Sequence, residues 1–402
     1  MQPEGETADL RLYYDNSYLY AFQSDVTGTR EDARGTWVRL RDTAFYPEVG
    51  GQPPDAGTLG GQSVLDVQED AAGDVWHLLA APLQGTVVGT VDPVRRRDHM
   101  QQHAAQHIAS EAVRRIVGRE TVSFHTGAEV STFDISGREA PDPEALRRAE
   151  ELANAVVMED RPIIARWVDA AELERLGLAA SAKVRPPYRL VEVQDFDWNP
   201  CGGTHPSRTG EVGPIKLYPG EPEHDGFRIR FYAGTRALRD HVRRADELRR
   251  AAQALGVAPE EVSSVLSARL EELAQLRRSA ERYRRQLLDR EADDLAQAAG
   301  GSPVAQSFPG RGVQELRELA ARLAARGVPL AVLTGTADAG GALVVGRTAG
   351  AGTHLGQFVQ ALCAALGGRG GGGETQAQAV LPLPADELLK ATLARLQPLT
   401  EG

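Results

Sequence analysis

Two pairs of residues in this chain have the spacing needed to hold a metal ion. His103 and His107 lie four apart in Asp98-His99-Met100-Gln101-Gln102-His103-Ala104-Ala105-Gln106-His107, and the pattern continues through Ile108, Ala109, Ala112, Val113 and Ile116. That periodicity predicts a helix, on which residues four apart share a face with about 5–6 Å between Cβ atoms. Both imidazoles can therefore turn a nitrogen toward one ion. Cys201 and His205 repeat the spacing in Asn199-Pro200-Cys201-Gly202-Gly203-Thr204-His205, on a glycine-rich turn. Three imidazoles and a thiolate make a borderline-soft donor set, for which zinc is the default occupant. The chain has two cysteines, and one falls in this motif. His99 lies four before His103, so His99 with His103 stands as an alternative first pair.

The whole chain sets the frame for such a site. Its 402 residues leave room for two to four domains. A hydrophobic fraction of 42% and a charged fraction of 25% are ordinary for a globular protein. No apolar run has the length of a bilayer span, and the opening residues Met1 to Glu6 lack a leader pattern. With one cysteine read as a ligand and Cys363 inside an apolar helix pattern, no disulfide framework is expected, and the cytoplasm is the expected compartment. A net charge of −11 argues against a general nucleic-acid coat. It leaves room for a local RNA contact at arginine clusters such as Arg95-Arg96-Arg97, Arg243-Arg244 and Arg284-Arg285.

Four segments follow from composition. Residues 1–92 read as a β-rich, barrel-like domain, with strands at 18–22, 36–40, 63–67 and 75–79 and a glycine-rich stretch from Thr43 to Gly57. Residues 93–236 alternate helix and strand around the two metal pairs, an α+β domain. Residues 237–298 are helical and rich in Arg and Glu. Leu266, Leu270, Leu273, Ala280 and Leu287 follow 4-3 spacing, but Arg277 and Arg284 fall on the same seam, which predicts helical arms rather than a long coiled coil. Residues 299–402 alternate strand and helix, an α/β pattern, with a glycine-rich segment at 367–373 read as a tether or a backbone-lined binding loop. The whole is an α+β multidomain chain.

In this order, the landmarks resemble the freestanding alanyl-tRNA editing proteins and the editing half of alanyl-tRNA synthetase. The resemblance rests on Phe45-Tyr46-Pro47-Glu48 through Gln52, on Gln102 to His107, on Ser123 to Asp134, and on Asp197-x-Asn199-Pro200-Cys201-Gly202-Gly203-Thr204-His205 with Thr209-Gly210-Glu211. The C-terminal segment resembles the DHHA1 domain that follows the editing domain in those proteins. Val49 departs from the pattern, where many relatives carry another glycine, and so does Glu374-Thr375 in the C-terminal loop. The resemblance implies that His103, His107, Cys201 and His205 hold Zn2+, with His99 outside. It implies an editor acting in trans, because some forty residues ahead of the glycine-rich stretch are too few for an aminoacylation domain.

The implied reaction is hydrolysis of the ester joining serine, or glycine, to tRNA(Ala). A pocket built for alanine rejects glycine poorly, since a missing methyl is worth only about 1–3 kcal/mol. On that reading Gln106, Ser123 and Thr126 are candidates to hydrogen-bond the serine hydroxyl, while His125 and Asp197 orient water or a ligand. An open position on the metal is the requirement for water activation. A homodimer through the helical arms or the C-terminal domain is a further expectation. Three other readings remain open at this point: a different aminoacyl ester, a non-catalytic tRNA binder with structural zinc, and a relative of DHH-type phosphoesterases.

Overall fold

A computed structural model describes residues 10–178, 186–224, 226–348 and 354–400, with side chains as far as Leu396. The opening residues Met1 to Glu6 lie outside that set. The chain is α+β with several separate sheets, and it divides into two compact units between Ala251 and Ala252.

The first unit begins with a seven-stranded, nearly closed sheet in the order 62–64, 57–59, 86–91, 21–32, 35–40, 75–79, 66–69. The long strand Ala21–Asp32 makes the corner. Its first half pairs with Thr86–Val91 and its second with Gly35–Leu40, and a register shift between Val26 and Gly28 bends it from one to the other. Phe22, Val38, Leu40, Phe45, Leu59, Val67 and Leu79 fill the interior. The glycine-rich stretch begins at the end of the strand Asp42–Thr43 and ends at the start of the strand Gly57–Leu59, and between them it has one bridge, Val49 to Gln52.

The helix Pro93–Val117 follows directly. Asp92 accepts the amides of Val94 and Arg95 at 2.9 and 3.2 Å, Pro93 takes the first turn, and Gly118 ends the helix at φ 74°. Alanines at 104, 105, 109 and 112 are fully buried and bring in the helix Pro143–Met158 through Ala149 and Ala153. Both helices cover an antiparallel sheet in the order 121–126, 131–136, 226–233, 215–223. A three-stranded sheet, 163–168, 188–193, 197–200, carries the Cys201 turn at its edge. The unit runs on into the helix Gly234–Leu255. Arg236, where composition places a boundary, is nearly buried in this helix and bonds Asp98 at 2.6 Å and the Gly127 carbonyl at 2.7 Å.

In the second unit a five-stranded sheet has the order 304–307, 330–337, 340–347, 376–381, 369–372. Helix Val313–Ala325 and the end of the helix Val262–Ala299 cover one face through Leu288, Ala292, Leu316 and Leu319. Helices Leu355–Leu366 and Ala385–Thr400 cover the other. Arg284 explains the interrupted 4-3 pattern, since it bonds Glu318 of the neighbouring helix at 2.8 Å instead of facing an apolar seam. The segment expected as a tether or loop is in part a strand: Arg369–Gly372 pairs antiparallel with Gln376–Leu381. Glycine is needed for that closeness, because a Cβ at Gly370 would stand 2.5 Å from the Ala379 Cβ.

Candidate metal centre

The helix Pro93–Val117 presents His103 and His107 on its buried face, one turn apart. The Cys201 turn meets them after the strand Asp197–Pro200. Arg189 holds that turn from the adjacent strand, donating through Nη1 to the carbonyls of Cys201 at 3.0 Å and Gly203 at 2.8 Å. The Gly203 amide points at the Cys201 sulfur, 3.3 Å away. Gly203 must be glycine, since any Cβ would run into the His103 ring.

One donor atom from each of His103, His107, Cys201 and His205 falls within 4.8 Å of the others. Cys201 Sγ is 3.4 Å from His103 Nε2 and 3.3 Å from His205 Nε2. His99 is not part of this group; it is buried one turn earlier with Nδ1 unpartnered.

The electrostatics suit a cation. Burial alone would raise the Cys201 thiol, but the imidazoles of His103, His205 and His107 outweigh it and hold the thiol well below its ordinary range. Burial presses His107 down, yet the Cys201 sulfur and Asp197 carry it up to about 10. Burial brings His205 down to about 3, against the pull of Cys201 and with the help of His103. A thiolate and a carboxylate thus favour positive charge between them, and a divalent ion meets the same field that holds a proton. Three imidazoles with one thiolate, nearly dry, fit zinc.

The remaining predicted residues separate. Asp197 lies beside the cluster, with Oδ2 3.3 Å from His107 Nδ1 and 2.7 Å from the Asn199 amide. Gln106 turns along its own helix to the Ser110 hydroxyl at 2.9 Å. Ser123 donates to Asp134 at 2.7 Å, and Asp134 also takes the Arg228 guanidinium. Alternation along the strand puts Ser123 and His125 on one face, Phe124 and Thr126 on the other. The Phe124 ring lies 5.0 Å from that of His103. Thr126 is fully buried, its amide bonded to the Gly51 carbonyl at 2.9 Å and its hydroxyl without a partner. His125 is exposed and faces an open groove of about 1140 Å³, lined also by Arg95, Arg97, His99, Thr126 and Arg239. None of the four metal donors lines this groove, which takes His99 and Gln101 from the helix that carries His103 and Thr126 from the strand that carries Phe124.

Sequence reasoning passed over Gln52, Arg189 and Asn199 as parts of the site. Gln52 is almost fully buried, with Oε1 2.8 Å from His103 Nδ1 and 3.2 Å from the Thr204 amide, and Nε2 2.9 Å from the Thr204 hydroxyl. Its place in the glycine-rich stretch was the one available signal. Arg189 gave none.

Residues 188–230, which include the Cys201 turn, match the family described as threonyl and alanyl tRNA synthetase second additional domain. Longer stretches are similar to alanine–tRNA ligases. That of Korarchaeum cryptofilum is 34% identical over 300 residues, which are 71% of this chain and 33% of the ligase. That of Methanopyrus kandleri is 35% identical over 305 residues, 71% and 32% of the two chains. That of Halobacterium salinarum is 34% identical over 392 residues, 91% of this chain and 41% of the ligase. The chain is related to alanyl-tRNA synthetases, and it spans about a third to two fifths of the length of these relatives.

Proposed function

We propose that this chain is a zinc-dependent deacylase that removes serine from mischarged tRNA(Ala), and glycine as well. The four-donor cluster carries the reading, together with a groove bearing Arg95, Arg97 and Arg239 that shares the helix of His103 through His99 and Gln101, since a metal-dependent hydrolase acting on RNA needs both. The likeness to alanine–tRNA ligases supports tRNA(Ala) as partner. In this reading His103, His107, Cys201 and His205 hold the ion, which when bound supplies Lewis acidity toward the ester or its attacking water. Asp197 accepts the Nδ1 proton of His107 and fixes that ring. The Thr126 hydroxyl, buried and unpartnered, is free to bond a serine side chain. Ser123, committed to Asp134, helps hold the strand that presents Thr126. Arginines of the groove take the phosphates of the acceptor end.

The test is deacylation of seryl-, glycyl- and alanyl-tRNA(Ala) by the 402-residue chain alone, with its zinc content measured. Seryl-tRNA(Ala) is expected to be hydrolysed fastest, without any ligase present. Full zinc occupancy, tRNA binding and no deacylation would establish the non-catalytic reading instead.

A further inference from the structure

We infer that Gln52, contributed by the glycine-rich stretch of the N-terminal sheet, is a positioning residue of the metal centre that fixes which nitrogen of His103 faces the ion. The inference rests on the metal reading above. It starts from the Thr204 amide, which can only donate, so the Gln52 atom 3.2 Å from it is the carbonyl oxygen, Oε1. The same oxygen stands 2.8 Å from His103 Nδ1. An oxygen of that kind accepts and cannot donate, so Nδ1 carries the proton and Nε2 is bare. Nε2 is the nitrogen that faces the Cys201 sulfur. Gln52 Nε2 then donates to the Thr204 hydroxyl, which leaves the side chain satisfied at both ends.

One amide therefore grips both halves of the cluster, His103 on its helix and Thr204 in the turn between Cys201 and His205. It is held there firmly. Gly51 just before it adopts φ 78°, and a Cβ there would approach the Phe124 ring to 2.9 Å. The Gly51 carbonyl takes the Thr126 amide, so the stretch is sewn to the strand beside His103 as well. His107 receives equivalent treatment from Asp197, 90 positions later in the chain, as His103 does from a residue 51 positions earlier. A neutral amide at His103 and a carboxylate at His107 also limit the negative charge around the ion.

Zinc affinity by competition with a chromophoric chelator, measured on the full chain, tests this. Gln52→Met, which keeps the length and removes the acceptor, should weaken zinc about 10- to 100-fold. Gln52→Glu restores an acceptor for both N–H groups and should recover affinity to within a few fold of the parent. With cobalt in place of zinc, the d–d bands of Gln52→Met should shift and those of Gln52→Glu should stay near the parent. Parent affinity and spectrum in Gln52→Met would overturn the inference while leaving the metal reading intact. A parent chain that takes up no zinc would overturn both. Should Gln52→Met fail to fold, long-range proton–nitrogen NMR of the zinc-loaded parent decides. Metallated Nε2 with protonated Nδ1 at His103 supports the assignment, and metal on Nδ1 overturns it.

Discussion

Arg96 lays its guanidinium along the carboxylate of Asp55, and neither side chain has any surface open to solvent. Arg96 stands on the helix that carries His103 and His107, and Asp55 lies three residues after Gln52, so the pair fastens the helix to the glycine-rich stretch. Its other donors are used too, with Nη1 on the Ser17 carbonyl at 2.8 Å and Nη2 on that of Ala44 at 2.5 Å. Asp55 in turn accepts the Tyr46 amide at 2.7 Å.

Removing one partner should therefore cost more than removing both. Arg96→Met leaves a buried carboxylate without its counter-charge, at a cost of about 3–5 kcal/mol. Adding Asp55→Asn should return part of that loss. Chemical unfolding of Arg96→Met, of Asp55→Asn and of the double variant checks it, and simple additivity would mean that the pair does not act as a unit.

A second buried group sets a pH dependence. His77 is enclosed between Thr43, whose hydroxyl is 2.8 Å from Nε2, and the Val38 carbonyl, 3.0 Å from Nδ1. Burial lowers it to about 4, against the small opposing effect of the Val38 carbonyl. The folded value lies below the unfolded 6.5, so the unfolded chain binds the extra proton between those limits. The stabilisation is complete above about pH 6.5 and is lost as the pH falls toward about 4. From pH 7 to pH 5 the parent should lose about 2 kcal/mol more than His77→Gln does. Urea midpoints at the two pH values measure the difference; parallel slopes would remove His77 as the cause.

Thr126 separates a substrate role from a packing role. Thr126→Val keeps the shape and deletes a hydroxyl that bonds nothing in the protein. Zinc content and stability should hold, while hydrolysis of seryl-tRNA(Ala) slows about three- to tenfold. Glycyl-tRNA(Ala), which has no hydroxyl to bond, should be hydrolysed as before. Equal losses on both substrates would end the serine-contact proposal.

How legible was this site? The four donors were, because x3 spacing on a helix and on a turn is local and survives in the sequence. The choice between His99 and His107 needed more than spacing, since both lie one turn from His103. Gln52, Arg189 and Thr204 reach the cluster through contacts that local pattern does not encode. Gln106 and Ser123 were judged by polarity, and both spend that polarity nearby, on Ser110 and Asp134. Strand positions followed composition and period at 36–40 and 75–79, which fall in Gly35–Leu40 and Val75–Leu79. Arg369–Gly372 did not, because a run of glycines carries no periodicity and fits a tether or a binding loop as well as the close strand pairing it serves here.

A chain ending at Ala251 tests the division of labour. A cut at Arg236 would break the bonds to Asp98 and Gly127, whereas one at Ala251 keeps the first unit whole. The shortened chain should retain zinc and hydrolyse seryl-tRNA(Ala) at high enzyme concentration. If the second unit grips RNA, affinity should fall and its salt dependence flatten. Unchanged affinity with a change from dimer to monomer would assign the second unit to homodimer assembly.

Cys201 and His103 meet across 98 positions of sequence, and Gln52 and Thr204 across 152. A ribosome adding roughly 5–20 residues per second releases the first pair of ligands about 5–20 seconds before the second. During that delay the emerging chain offers an ion two imidazoles and nothing to complete the grip. Metal loading is thus ordered behind translation, and a filled centre marks a first unit whose far segments have already found each other.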